Sequence, residues 1–287
     1  MIAVLKHEIY GYYNSLTAYL FCAFFLASIG VGAILYNIQS SVASFELVLQ
    51  FVCIGLVVLL PVLTMRVIAE EKKQKTDQLL YALPLKLSQI VLGKYLALLT
   101  VFLIPMVVIS VYPLIFSRYG DVYLLTAYGS LFSFFLLGAS MIAIGMFISS
   151  LTGNQGFAAG VSIALFLLNY YSVRLAEYAS ATALSSLVSI AVFAVAFACL
   201  IGHLTKSETL AYGVALAAFV GLGLTFAFKR SALEGLLPKL FSQLSLFNRF
   251  YVFVNGVFDL TAVVFYVTVI VFFLFLTVQS LEKRRYN

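Results

Sequence analysis

The chain has 287 residues, 63% of them hydrophobic and only 10% charged, against roughly 45–50% and about 25% in an ordinary soluble domain. So little charge cannot cover a water-exposed surface, and the apolar runs approach or exceed the roughly 18 residues that mark a membrane-spanning helix. A soluble protein is excluded, no nucleic-acid partner is expected despite the net charge of +6, and a polytopic, all-α membrane protein is the remaining class.

In chain order, residues 1–14 carry Lys6, His7 and Glu8 ahead of the first apolar run, with no small-residue cleavage site behind it, and are expected to be retained. Hydropathy then predicts about eight spans, near 15–36, 46–69, 91–116, 123–150, 156–173, 182–202, 209–228 and 260–281. With the N-terminus cytoplasmic, eleven of the 17 Lys and Arg residues fall inside and six outside, as the positive-inside rule requires. An even number of spans keeps both the 66–94 loop and the basic tail in the cytoplasm. Pro61, Pro105 and Pro113 are expected to bend their helices. Gly156 with Gly160, and Gly213 with Ala217 and Gly221, form small-residue faces suited to close helix packing. Between 229 and 259, Leu233, Leu236, Leu237, Leu240, Leu244 and Phe247 recur at helical spacing, as in an interfacial or re-entrant helix or an ordinary amphipathic connector.

Little in the sequence carries chemistry. Cys22, Cys53 and Cys199 lie in apolar stretches without ligand spacing, and His7 and His203 stand apart, so no metal or cofactor site is expected. All eleven acids fall in loops or at span ends, whereas ion-driven carriers keep one in mid-membrane. Gly93-Lys94 lacks the earlier glycine and the following hydroxyl of a phosphate loop, so the chain is not expected to be an enzyme or to hydrolyse ATP alone. Outer cations such as Arg118 and Arg249 face either anions or lipid headgroups.

The densest run of charge is the 66–94 loop. Arg66, Glu70, Glu71, Lys72, Lys73, Lys75 and Asp77 are followed by Leu79, Leu80 and Leu83 on one face and by Pro84. The pattern predicts a short amphipathic helix, charged at its start and apolar at its end. It rests either on a partner protein or on anionic headgroups.

The stretch P-V-L-T-M-R-x-I-A-E-E-K-x-x-x-T-D-Q-L-L-Y-A-L-P-L from Pro61 to Leu85, continued by I-V-L-G-K-Y-L to Leu96, resembles the signature loop of ABC-2 type permeases, in particular the subfamily related to the gliding-motility permease. K-H-E-I-Y-G-Y-Y-N-S-L-T-A-Y-L from Lys6, I-G-M-F-I-S-S-L-T-G-N-Q from Ile144, and the close from Phe250 through N-G-V-F-D-L to the basic tail agree with it.

The resemblance implies a single permease domain over 1–287, similar to a type V exporter: a six-span core with an extra hairpin at 182–228. It further implies an amphipathic helix at 1–14, a cytoplasmic coupling loop at 66–90 and an extracellular or re-entrant segment at 229–259. The chain would be the transmembrane subunit of an exporter, paired with a like or related permease and embedded in the inner membrane of a bacterium with both termini cytoplasmic. ATP and Mg²⁺ would be held by separate ATPase subunits. Glu70, Glu71, Leu79, Leu80, Leu83 and Pro84 would dock on them, with Thr76 and Asp77 capping the coupling helix. An ATP-independent carrier or channel and a non-transporting membrane scaffold are the alternatives.

Overall fold

The computed structural model describes residues 2–40, 42, 44–76, 86–178 and 236–286, and every described regular element is helical. In order these are α1 (Ile2–Asn14), α2 (Leu16–Gly32) with a closing π-helical stretch (Ala33–Gln39), α3 (Glu46–Thr64), α4 (Ala69–Gln74), α5 (Leu87–Ile109), α6 (Tyr112–Phe116), α7 (Leu124–Leu151), α8 (Gln155–Tyr178), α9 (Leu236–Leu244), α10 (Leu246–Val254) and α11 (Leu260–Tyr286). Among the described residues, five helical stretches are long and apolar enough to cross a membrane: Leu16–Gln39, Glu46–Gln74, Leu87–Phe116, Leu124–Leu151 and Leu260–Arg284. They correspond to the first four expected spans and the last. The expected fifth, 156–173, is helical within α8 but is not one of the five. The spans expected at 182–202 and 209–228, and with them the extra hairpin, lie outside the described residues.

The helices fall into two compact units, Met1–Leu168 with Arg249–Asn287, and Asn169–Asn248. In the first unit α7 is the centre, packed by α11, α3 and α5, while α2 lies on α3 and α5, and α1 lies on α5 and α2. Its second half, from Leu137 to Met146, is buried throughout. Small residues let backbones close in where apolar side chains gain little by leaving lipid. Gly138 and Gly145 are the tightest points: a Cβ on Gly138 would fall on the Phe102 ring, and one on Gly145 would fall on the Thr64 side chain. Among the described residues, no such approach is found at the small-residue face expected at Gly156 and Gly160: Gly160 has nothing within 4 Å and Gly156 meets the Asn154 side chain. Around the N-terminal half of α7 the core is aromatic, with Phe25, Phe102, Phe134 and Phe250 all fully buried. Large apolar residues such as Phe24, Val107 and Phe272 remain exposed on the span surfaces, as lipid-facing positions do.

The prolines act differently from one another. Pro61 and Pro105 lie inside α3 and α5, whereas Pro113 stands in the first turn of α6 after the chain has already broken at 110–111. There it has no hydrogen bond to remove, so it starts a helix and does not bend one.

In the second unit, the described part of the helical pattern, 236–247, falls in two helices separated at Ser245, and Leu233 lies outside the described residues. The Ser245 hydroxyl accepts from Asn248 N–H at 3.2 Å and caps α10. Asn169 of α8 seals the break, its side-chain oxygen accepting from Leu246 N–H at 2.9 Å and its carbonyl accepting from the Ser245 hydroxyl at 3.3 Å.

Candidate functional site

Charged side chains converge where the second span ends. The α3 helix stops at Thr64, three residues past Pro61, and a turn at 65–68 precedes α4. A break of this kind strands backbone groups that must find partners. Ser149 of α7 supplies them: its hydroxyl oxygen accepts from Ile68 N–H at 3.3 Å and Ala69 N–H at 3.1 Å, and the hydroxyl donates to Met65 O at 3.0 Å. Lys72 donates to the Ser150 carbonyl, which also accepts from the Ser280 hydroxyl of α11 at 3.3 Å. The end of the second span is thereby tied to α7 and α11.

Two charge clusters complete the site. Lys94, the lone charge in α5, is 1% exposed, and its Nζ lies 2.6 Å from Glu8 of α1 and 2.6 Å from Glu71 of α4. The two carboxylates retain 16% and 24% exposure. An unpaired lysine at this depth would be too costly to remain charged, so the two acids are the condition for its presence. Beside it Arg66 grips Glu70 bidentately at 2.8 and 3.2 Å and donates to Thr17 of α2 at 3.0 Å. The clusters border an open pocket of about 410 Å³, lined among others by His7, Tyr12 and Thr17. Burial, reinforced by the Glu8 charge, pushes the Tyr12 hydroxyl well above the usual phenol range, so it stays neutral.

Of the described residues expected to dock an ATPase, Glu70 and Glu71 turn inward, onto Arg66 and Lys94. Thr76 closes α4, its N–H and hydroxyl both donating to Glu71 O, at 3.0 and 3.4 Å, and the helix it is expected to cap lies outside the described residues. Helix α4 ends at Gln74, because Lys75 takes a left-handed conformation with φ 58°. Asp77, Leu79, Leu80, Leu83 and Pro84 lie outside the described residues. Lys94 escaped the sequence reading as a site residue, although a single lysine in an otherwise uncharged apolar helix is a signal in its own right.

The left-handed Lys75 is a measurable feature. A non-glycine residue there carries a strain of about 1–2 kcal/mol, so K75G is expected to raise the stability of the purified chain by about 1 kcal/mol. A melting midpoint at or below that of the wild type would count against a strained turn at this position.

The whole bears comparison with known proteins. No curated protein matches the chain in sequence. Residues 13–176, more than half of its length, match the model of the ABC-2 family transporter protein, and that stretch holds the second span, the Ser149 clamp, Arg66, Glu70, Glu71 and Lys94. With its all-helical architecture and apolar spans, the chain belongs to the ABC-2 transporter family, as a multi-pass membrane permease.

Proposed function

We propose that this permease is the transmembrane subunit of an exporter driven by separate ATPase subunits, of the kind related to the gliding-motility permease, and that force enters it through the 66–94 loop. The observation that carries the reading is the bridging of α1, α4 and α5 by one buried ammonium, Lys94, 2.6 Å from both Glu8 and Glu71. On this reading residues 77–85 seat on the ATPase, with Leu79, Leu80 and Leu83 in a groove of its surface and Asp77 and Pro84 at either side. ATP binding and hydrolysis displace the loop. The displacement passes through α4 to α5 by the Glu71–Lys94 pair, to α1 by Glu8, and to α7 by Ser149. The spans then rock between inward and outward access. Topology follows the positive-inside rule: the 66–94 end, the amphipathic α1 and the basic tail face the cytoplasm of a bacterial cell. A second permease, identical or related, completes the path, and 182–228 adds a hairpin to a six-span core.

The test is co-purification. With Leu79 and Leu80 both replaced by aspartate, the membrane-inserted chain should no longer bring down its ATPase, because two charges would be buried in an apolar groove. Unaltered assembly and ATP-driven transport in that variant would remove the docking role.

A further inference from the structure

At the opposite end of the bundle, Arg249 is the one charge in α10, in the sequence LFNRFYVFV. Its neighbours Phe250 and Phe253 are 0% and 2% exposed. Phe250 packs on Phe134 of α7 at 5.7 Å, and the Phe253 carbonyl accepts from the Ser130 hydroxyl at 3.1 Å. Arg249 itself keeps 26% side-chain exposure. Its guanidinium lies over the Phe265 ring of α11 at 5.3 Å, and its Nη1 is 4.0 Å from Asp259 Oδ2, too far for a hydrogen bond. The buried Nε has no hydrogen-bond partner among the described residues.

Asp259 is committed elsewhere. Its Oδ1 accepts from Thr261 N–H at 2.8 Å and from the Thr261 hydroxyl, capping the start of α11. The Thr261 hydroxyl bond does most to hold the Asp259 carboxyl below the usual range, so it stays ionised. The planar fork of a guanidinium suits a two-oxygen acceptor, and here it meets one carboxylate oxygen at a distance. Arg118, another cation expected on this side, lies in an exposed turn and needs no such partner.

We infer that Arg249 recognises an oxyanion, a phosphate or a carboxylate, which takes the place that Asp259 half fills beside α10 and α11. For its bearing on cargo this rests on the exporter reading, since it makes the transported or gating ligand anionic. The binding itself does not depend on ATP coupling and is tested without it.

The full chain, purified in dodecyl maltoside, is titrated with dodecyl phosphate and separately with inorganic phosphate, following the melting midpoint. The wild type should show a saturable rise. R249Q should bind at least roughly tenfold more weakly, as expected for losing a charge-assisted pair. D259N removes the competing carboxylate and should bind more tightly than wild type. A response to dodecyl phosphate alone assigns the anion to an amphiphile, and an equal response to inorganic phosphate assigns it to a soluble ion. Either supports the inference. No saturable rise in the wild type, or the same affinity in wild type and R249Q, overturns it. Should R249Q fail to fold, D259N decides: tighter binding supports the inference, and unchanged or weaker binding overturns it.

Discussion

Replacing Lys94 with methionine will take away the ammonium that lies between Glu8 and Glu71, and the chain will lose about 3–5 kcal/mol of stability. The lower end of that range applies, because both carboxylates keep some contact with solvent, 16% and 24%. At the scaling of a chain this size the melting midpoint falls by roughly 6–12 °C. Removing the acids as well separates structure from function. A buried ion cluster replaced throughout by neutral groups is often isoenergetic with the original, so E8Q/E71Q/K94M should melt close to wild type. If the cluster transmits displacement from the loop to the spans, the triple variant will still be unable to couple ATP hydrolysis to transport. A K94M protein that melts like wild type would show that the three side chains do not hold α1, α4 and α5 together. A stable triple variant with full transport would leave the cluster a merely structural clamp.

The spans were readable because length and apolarity alone decide whether a helix can cross a bilayer. The second span is expected from residue 46 and begins at Glu46, the fourth is expected at 123–150 and runs Leu124–Leu151. What happens at their ends depends on contacts distant in sequence. Ser149 looks like one more small residue in an apolar run, yet it caps a break 80 residues earlier. Glu70 and Glu71 were marked by their charge, but charge does not say which way a side chain turns. Their placement hangs on Arg66, one helical turn away, and on Lys94, 23 residues further along. Lys75 carries no signal for a left-handed turn, a position that sequence reasoning assigns to glycine or asparagine. The same blindness applies to close packing: glycine spacing points to 156 and 160, whereas the tightest contacts among the described residues are at 138 and 145, where a partner helix happens to pass.

That contact leads to the second large effect. Alanine at Gly138 or Gly145 will destabilise the chain, each by about 1–3 kcal/mol, the cost of overpacking a filled core. At Gly138 the new methyl meets the Phe102 ring. The ring cannot retreat, since it is fully buried, stacked on Phe135 at 6.0 Å and flanked by Phe25 at 5.9 Å. At Gly145 the methyl meets the Thr64 side chain, its Cβ at 3.0 Å. Turning the Thr64 hydroxyl aside would break its bond to Leu60 O, also 3.0 Å, in a site where no water can replace it. The two glycines are two helical turns apart on α7 and touch different helices, so their effects should add, giving G138A/G145A a loss of about 2–6 kcal/mol. The cause can be isolated. Shrinking the obstacle with F102L should recover part of the loss in G138A while costing stability in the wild-type background, a coupling that melting curves of the four proteins in one detergent will measure. If G138A melts with the wild type, or if F102L lowers both backgrounds equally, then α5 and α7 are not in the contact described. If the coupling is found, α7 has no room for a side chain at the level of Phe102, and any rocking of the spans must carry α5 and α7 together as one body.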